Sequence, residues 1–217
     1  MKRITLMILV LVSCITTYAQ GQQIFSYSNT GDIVANVAYI DTFANNKVYT
    51  NITPYEFKQS GVVTTKSNDK YTVRLLKYKD WEDFQDFNVI EILYKNKQIF
   101  SFNNNGGWMF FELAEGPDGN ASKPMEIINF APNCTALAFT SHIYESSPYP
   151  ITVIVLKDGK ATLVYNKNAY LNDVKKNSDS TMFTLQLNTI EYYEEGKTND
   201  VPILKSLIFK DGMIYYK

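Results

Sequence analysis

Residues 135–165 read TALAFTSHIYESSPYPITVIVLKDGKATLVY, and the second half of this stretch decides the fold. Lys157, Asp158, Gly159 and Lys160 separate two β-prone runs, 151–156 (ITVIVL) and 161–165 (ATLVY). An Asp-Gly pair accepts the positive backbone angles of a type I′ turn, whose twist matches that of the strands on either side. Nearly every residue of ITVIVL is β-branched, which favours an extended backbone over a helix. Both of its faces are apolar, with Ile151, Val153 and Val155 on one and Ile154 and Leu156 on the other. That pattern predicts a central strand covered on both sides.

The same layout occurs twice more. Residues 203–209 lead through Lys210, Asp211 and Gly212 to Ile214, Tyr215 and Tyr216, and 89–94 lead through Lys95, Asn96 and Lys97 to 98–102. Each hairpin has a β-prone run upstream, at 71–78, 135–144 and 181–193. Three antiparallel meanders are therefore expected, at about 71–102, 135–165 and 181–216. A spacing of roughly 50–60 residues lies in the range of propeller blades or duplicated sheets. The predicted fold is all-β, a single domain over residues 20–217 in a small or incomplete β-propeller-like arrangement. A two-sheet sandwich or a barrel is the alternative.

Residues 1–19 read as an export signal. Lys2 and Arg3 form a basic start, residues 4–12 an apolar run, and Thr17, Tyr18 and Ala19 a small-x-small site with cleavage before Gln20. Leu11, Val12, Ser13 and Cys14 also resemble a lipobox, which would make Cys14 a lipidated N-terminus. Either route predicts a periplasmic or extracellular protein, and no later segment is long and apolar enough to cross a membrane. Cys134 is then the one remaining thiol, read as a small buried hydrophobe at a strand start. The net charge of −1 gives no electrostatic case for nucleic acid. With 45% apolar and 14% aromatic residues, the chain has enough apolar surface for one core without staples.

Between the meanders the pattern is less regular. Residues 32–41 (DIVANVAYID) and 47–52 predict strands, and 55–65 a strand pair around Gly61. Residues 80–87 (DWEDFQDF) are the one short helix candidate. Asn103, Asn104, Asn105, Gly106 and Gly107 predict a break before a strand at 108–113.

Phe111-Glu112-Leu113, the Asp118-Gly119-Asn120 loop, Pro124-Met125-Glu126-Ile127-Ile128 and the small-residue run 136–144 follow one another in an order with precedent. Over about residues 108–165 this order resembles secreted bacterial FG-GAP or integrin-α-like propeller repeats. The resemblance implies a propeller-like fold and a binding role. It also implies a calcium loop, but Ala114, Gly116 and Pro117 stand where ligands are wanted. Asp118 and Asn120 remain as weak metal candidates beside Glu115, against the six to eight oxygens that Ca²⁺ takes. No cofactor is expected.

No catalytic motif is present. His142 has no partner histidine, and no Gly-x-Ser-x-Gly elbow, Walker loop or zinc motif occurs. The acidic groups Asp80, Glu82, Asp83 and Asp86, and Glu191, Glu194, Glu195 and Asp200, lie in loops and read as solvated. Loop aromatics offer a better functional signal, because exposed Trp and Tyr serve interfaces and stack on sugars. Trp81, Asp83, Trp108 and Tyr149 are the candidate binding residues. The expected function is that of an exported non-enzymatic binding protein, an extracytoplasmic inhibitor or accessory factor that engages a protein partner through its loops. A carbohydrate-binding surface and a glycoside hydrolase with paired carboxylates are the alternatives.

Overall fold

In the computed structural model, the described residues are 21–41, 55–78, 86–108, 125–139, 149–177, 182–189, 192–193, 197–198 and 203–217. The strands in chain order are β1 (Gln22–Gln23), β2 (Phe25–Tyr27), β3 (Ile33–Ala35), β4 (Tyr55–Thr64), β5 (Lys70–Tyr78), β6 (Phe87–Tyr94), β7 (Lys97–Trp108) and β8 (Glu126–Ala131). They continue as β9 (Cys134–Phe139), β10 (Tyr149–Lys157), β11 (Lys160–Lys176), β12 (Met182–Thr189), β13 (Tyr192–Tyr193), β14 (Lys197–Thr198), β15 (Ile203–Lys210) and β16 (Met213–Tyr216). The fold is all-β as expected, and the only helical element among the described residues is a 3₁₀ turn at Val37–Tyr39.

The two Asp-Gly hairpins form with the anticipated turn, and the third forms the same turn on Lys95 and Asn96 although it has no Asp-Gly pair. Asp158 and Gly159 have φ of 49° and 74°, Asp211 and Gly212 51° and 76°, and Lys95 and Asn96 51° and 63°. Both central residues are left-handed in each case, which is the requirement of a type I′ turn. The three meanders are therefore β5–β6–β7, β9–β10–β11 and β12–β15–β16.

Their assembly is barrel-like. The second and third meanders run on into one eight-stranded sheet, in the order β1-β16-β15-β12-β11-β10-β9-β8, because the long strand β11 pairs first with β10 and then with β12. A bulge between Leu171 and Asp173 lies on its second half, and bulges add bend and twist. The β8–β11 part of the sheet curls into a half-barrel, and the β8 edge approaches the β15–β16 turn, where the Gly212 amide donates to the Phe130 carbonyl at 3.2 Å. The first meander, preceded by β4, forms a separate four-stranded sheet.

Strand β10 lies between two cores, as the sequence of 151–156 predicts. Ile151, Val153 and Val155 face the half-barrel interior with Leu185, Leu207, Phe209 and Ile214. Ile154 and Leu156 face the four-stranded sheet, against Val73, Leu75, Ile90 and Ile92. All five of these β10 residues are fully buried, and each contributes about 1.5–3 kcal/mol of hydrophobic stabilisation.

Several local expectations are corrected. Residues 103–107 are not a break, because β7 runs through them to Trp108 and absorbs the extra residues opposite β6 between Phe87 and Val89. Residues 55–64 form one strand, not a pair around Gly61. The strand expected over 32–41 stops at Ala35. There the Asn36 side chain accepts from the Ala38 amide and starts the 3₁₀ turn. Phe87 belongs to β6, so the helix candidate does not reach it. The strand expected at 47–52, and all of the one expected at 108–113 beyond Trp108, lie outside the described residues.

Candidate functional site

Local geometry first fixes the β10–β11 turn. The Gly159 amide donates to the Tyr71 hydroxyl at 2.8 Å, and the Tyr94 ring lies flush against the same glycine. Tyr94 in turn donates to Asp69 Oδ1 at 3.0 Å. The four-stranded sheet thus clamps a turn that belongs to the half-barrel. Around this turn opens a shallow cleft of about 180 Å³, lined by Asp32, Ile33, Lys157, Asp158, Lys160 and Thr162.

The charges of the cleft are matched. Lys160 Nζ contacts Asp32 Oδ1 at 2.5 Å, and Lys157 pairs with its neighbour Asp158. The Lys160 hydrogen bond, with a second from Thr30, holds the Asp32 carboxyl below the usual range. The hydrogen bond to Asp158 raises Lys157. Beneath the lysine lies Tyr27, with the Lys157 ammonium 5.9 Å from its ring centroid. Tyr27 is 38% exposed, and its hydroxyl donates to the Gly212 carbonyl at 2.6 Å with Cys134 Sγ 3.4 Å away.

Burial raises the Cys134 thiol, which keeps it in the unreactive protonated form. Burial, and then the contact with Cys134, raise the Tyr27 hydroxyl, so it does not serve as a base near neutral pH. Each cationic head already has a carboxylate, so the cleft offers alternating donors and acceptors with no excess of either charge. Such a surface complements another mixed polar surface better than it does a simple anion.

Trp108 is placed elsewhere. Its ring is fully buried, stacked on Phe87 at 5.6 Å, and its Nε1 donates to Thr152 Oγ1 at 3.0 Å. It is a core residue and offers no exposed ring to a partner. Only the backbone of Tyr149 is described, at the start of β10 opposite Ala169. Trp81, Asp83, Asp118, Asn120, His142 and Cys14 lie outside the described residues. Among the described residues no three His, Cys, Asp or Glu side chains come together to hold a metal, and no helix is long and apolar enough to cross a membrane.

Sequence reading missed the cleft. Asp32 and Lys160 are 128 residues apart and meet only through the tertiary fold. The one available signal was the Lys-Asp-Gly-Lys turn, whose glycine backbone geometry fully explains on its own. No family model, curated protein or solved structure matches this chain.

The buried hydroxyls give a pH expectation. Burial raises Tyr71 to about 12 and moves Tyr27 and Tyr165 upward as well. Tyrosines of the unfolded chain ionise at about 10. A folded-state value above the unfolded one means that stability is fully present below about pH 10 and lost as pH rises through about 12. Urea midpoints should therefore be level from neutral pH to about 9 and fall steeply beyond about 10.5. An unchanged midpoint at high pH would show that these hydroxyls titrate freely.

Proposed function

We propose that this chain is an exported binding protein, without a reaction of its own, that engages a protein partner at the charged cleft around the β10–β11 turn. The observation that carries the reading is the clamped turn, where Tyr71 and Tyr94 hold Gly159 and so present Lys157, Asp158 and Lys160 beside Asp32 in one fixed arrangement. A preorganised surface loses little conformational freedom on association, which favours affinity. The matched charges favour a partner with its own interspersed charges. Export is supported by Lys2 and Arg3, the apolar run 4–12 and the Ala19–Gln20 junction.

Site-specific photocrosslinking in the source cells tests the binding half. A photoreactive side chain at Thr162 should give a discrete adduct that Lys160→Glu abolishes, while the same probe at Lys205 gives none. The Lys160–Asp32 pair is exposed, so the charge reversal should leave the fold intact. Equal adducts at both positions, or none at Thr162, would overturn the assignment. The export half is tested by the intact mass of the protein recovered outside the cytoplasm. A chain beginning at Gln20 is expected, and an uncut chain confined to the cytoplasm would refute it.

A further inference from the structure

Residues 21–41 form a strap packed on the core of the eight-stranded sheet. Ile24 and Phe25 are almost wholly buried in its core, Tyr39 nearly so, and Ile33 and Ala35 pack against the same cluster. The strap's own local structure is slight, a β2–β3 pairing of three residue pairs and one 3₁₀ turn. Its other attachments are remote in sequence. Asp32 meets Lys160 across 128 residues, Asp41 meets Lys167 across 126, and the Asp41 carbonyl accepts from Asn166 across 125. Tyr27 donates to the Gly212 carbonyl across 185.

The seat of the strap is built partly from the last strand of the chain. Gln22 and Gln23 pair with Tyr216 and Tyr215, and the Ile24 amide donates to the Ile214 carbonyl at 3.1 Å. Gly21 enters with φ of +87°, and a Cβ there would lie 2.6 Å from the Tyr216 carbonyl oxygen. The three type I′ hairpins need only short loops to close, whereas the strap must close loops of more than a hundred residues before its remote contacts are gained.

From this asymmetry we infer that the strap docks last, and that its docking waits on β16. Until residues 213–216 are in place, β1 has no strand to pair with and the core stays open on the side that Ile24 and Phe25 fill. Taken with the export reading above, this order keeps the chain incompletely closed until residues 213–216 have followed the earlier strands through the translocation path.

Pulse-labelling hydrogen exchange during refolding of the full chain, read by mass spectrometry, tests the order. Peptides from 21–41 should gain protection in the slowest phase together with 213–216, after peptides from 149–157 and 87–94. The variant Gly21→Val, which cannot keep this backbone angle or clear Tyr216, should raise native-state exchange in 21–41 by roughly tenfold or more and leave 87–94 unchanged. Strap protection in the earliest phase would overturn the inference, as would a uniform rise in exchange in the variant. Both measurements use purified protein, so they stand or fall separately from the N-terminal mass that tests export.

Discussion

Trp108→Ala is expected to lower the unfolding free energy by about 3–5 kcal/mol, among the largest effects available in this chain. The ring is fully buried between the two sheets and touches Phe87, Phe102 and Phe139, with centroid separations of 5.6, 5.8 and 6.3 Å. Its Nε1 also starts a buried relay. Trp108 donates to Thr152, Thr152 Oγ1 donates to Asn166 Oδ1 at 2.8 Å, and Asn166 Nδ2 donates to the Asp41 carbonyl at 2.8 Å. This chain of bonds runs from the four-stranded sheet, through β10 and β11, to the strap. Thr152→Val keeps the side-chain shape but strands the indole N–H and the Asn166 oxygen at once, and an unsatisfied buried polar group costs about 1–3 kcal/mol. Urea unfolding followed by far-ultraviolet circular dichroism should show a lower midpoint for both variants with an unchanged slope. A Thr152→Val protein as stable as the parent would mean that the relay contributes nothing net.

Gly159→Val is the second large effect. The backbone angle of +74° is strained for a β-branched residue and costs about 1–3 kcal/mol by itself. The new Cβ would also lie 2.8 Å from Tyr94 Cε1, so the ring must move and its hydrogen bond to Asp69 is put at risk. Gly61→Ala is the matched control, because nothing lies within 4 Å of a Cβ there. Thermal unfolding should fall by several degrees for the first variant and stay nearly level for the second. Equal behaviour of the two would remove the clamp from the description of the cleft.

The legible parts of the fold were those written in local chemistry. Asp158-Gly159 and Asp211-Gly212 announced their turns because few other residue pairs accept two successive left-handed angles. The apolar residues on both sides of 151–156 announced a strand buried twice. What local chemistry does not encode is which strand lies beside which. The pairing of β11 with β12, which joins two meanders into one eight-stranded sheet, depends on a seventeen-residue strand changing partners along its length. The misread break at 103–107 has a similar cause. A run of Asn and Gly signals a turn when free, yet here it stays within β7, bulged out of the pairing with β6 between Asn103 and Trp108, and only Gly107 takes a positive angle. The cleft was illegible because its two halves lie on the strap and on the β10–β11 turn. Trp108 was misjudged because an aromatic ring beside a glycine run reads alike as an exposed platform or as a core anchor.

The burial of β10 on both faces has one more consequence. In a strand with one wet face, sliding by a single residue drives apolar side chains into water, and that penalty fixes the alignment. For ITVIVL the penalty is largely missing, since a slipped strand would still bury isoleucine and valine on either side. Thr152 supplies the missing mark. It is the one polar side chain in that run, and only in the native alignment does its hydroxyl meet both the Trp108 indole and the Asn166 amide. A single hydroxyl thus tells two nearly interchangeable apolar faces apart.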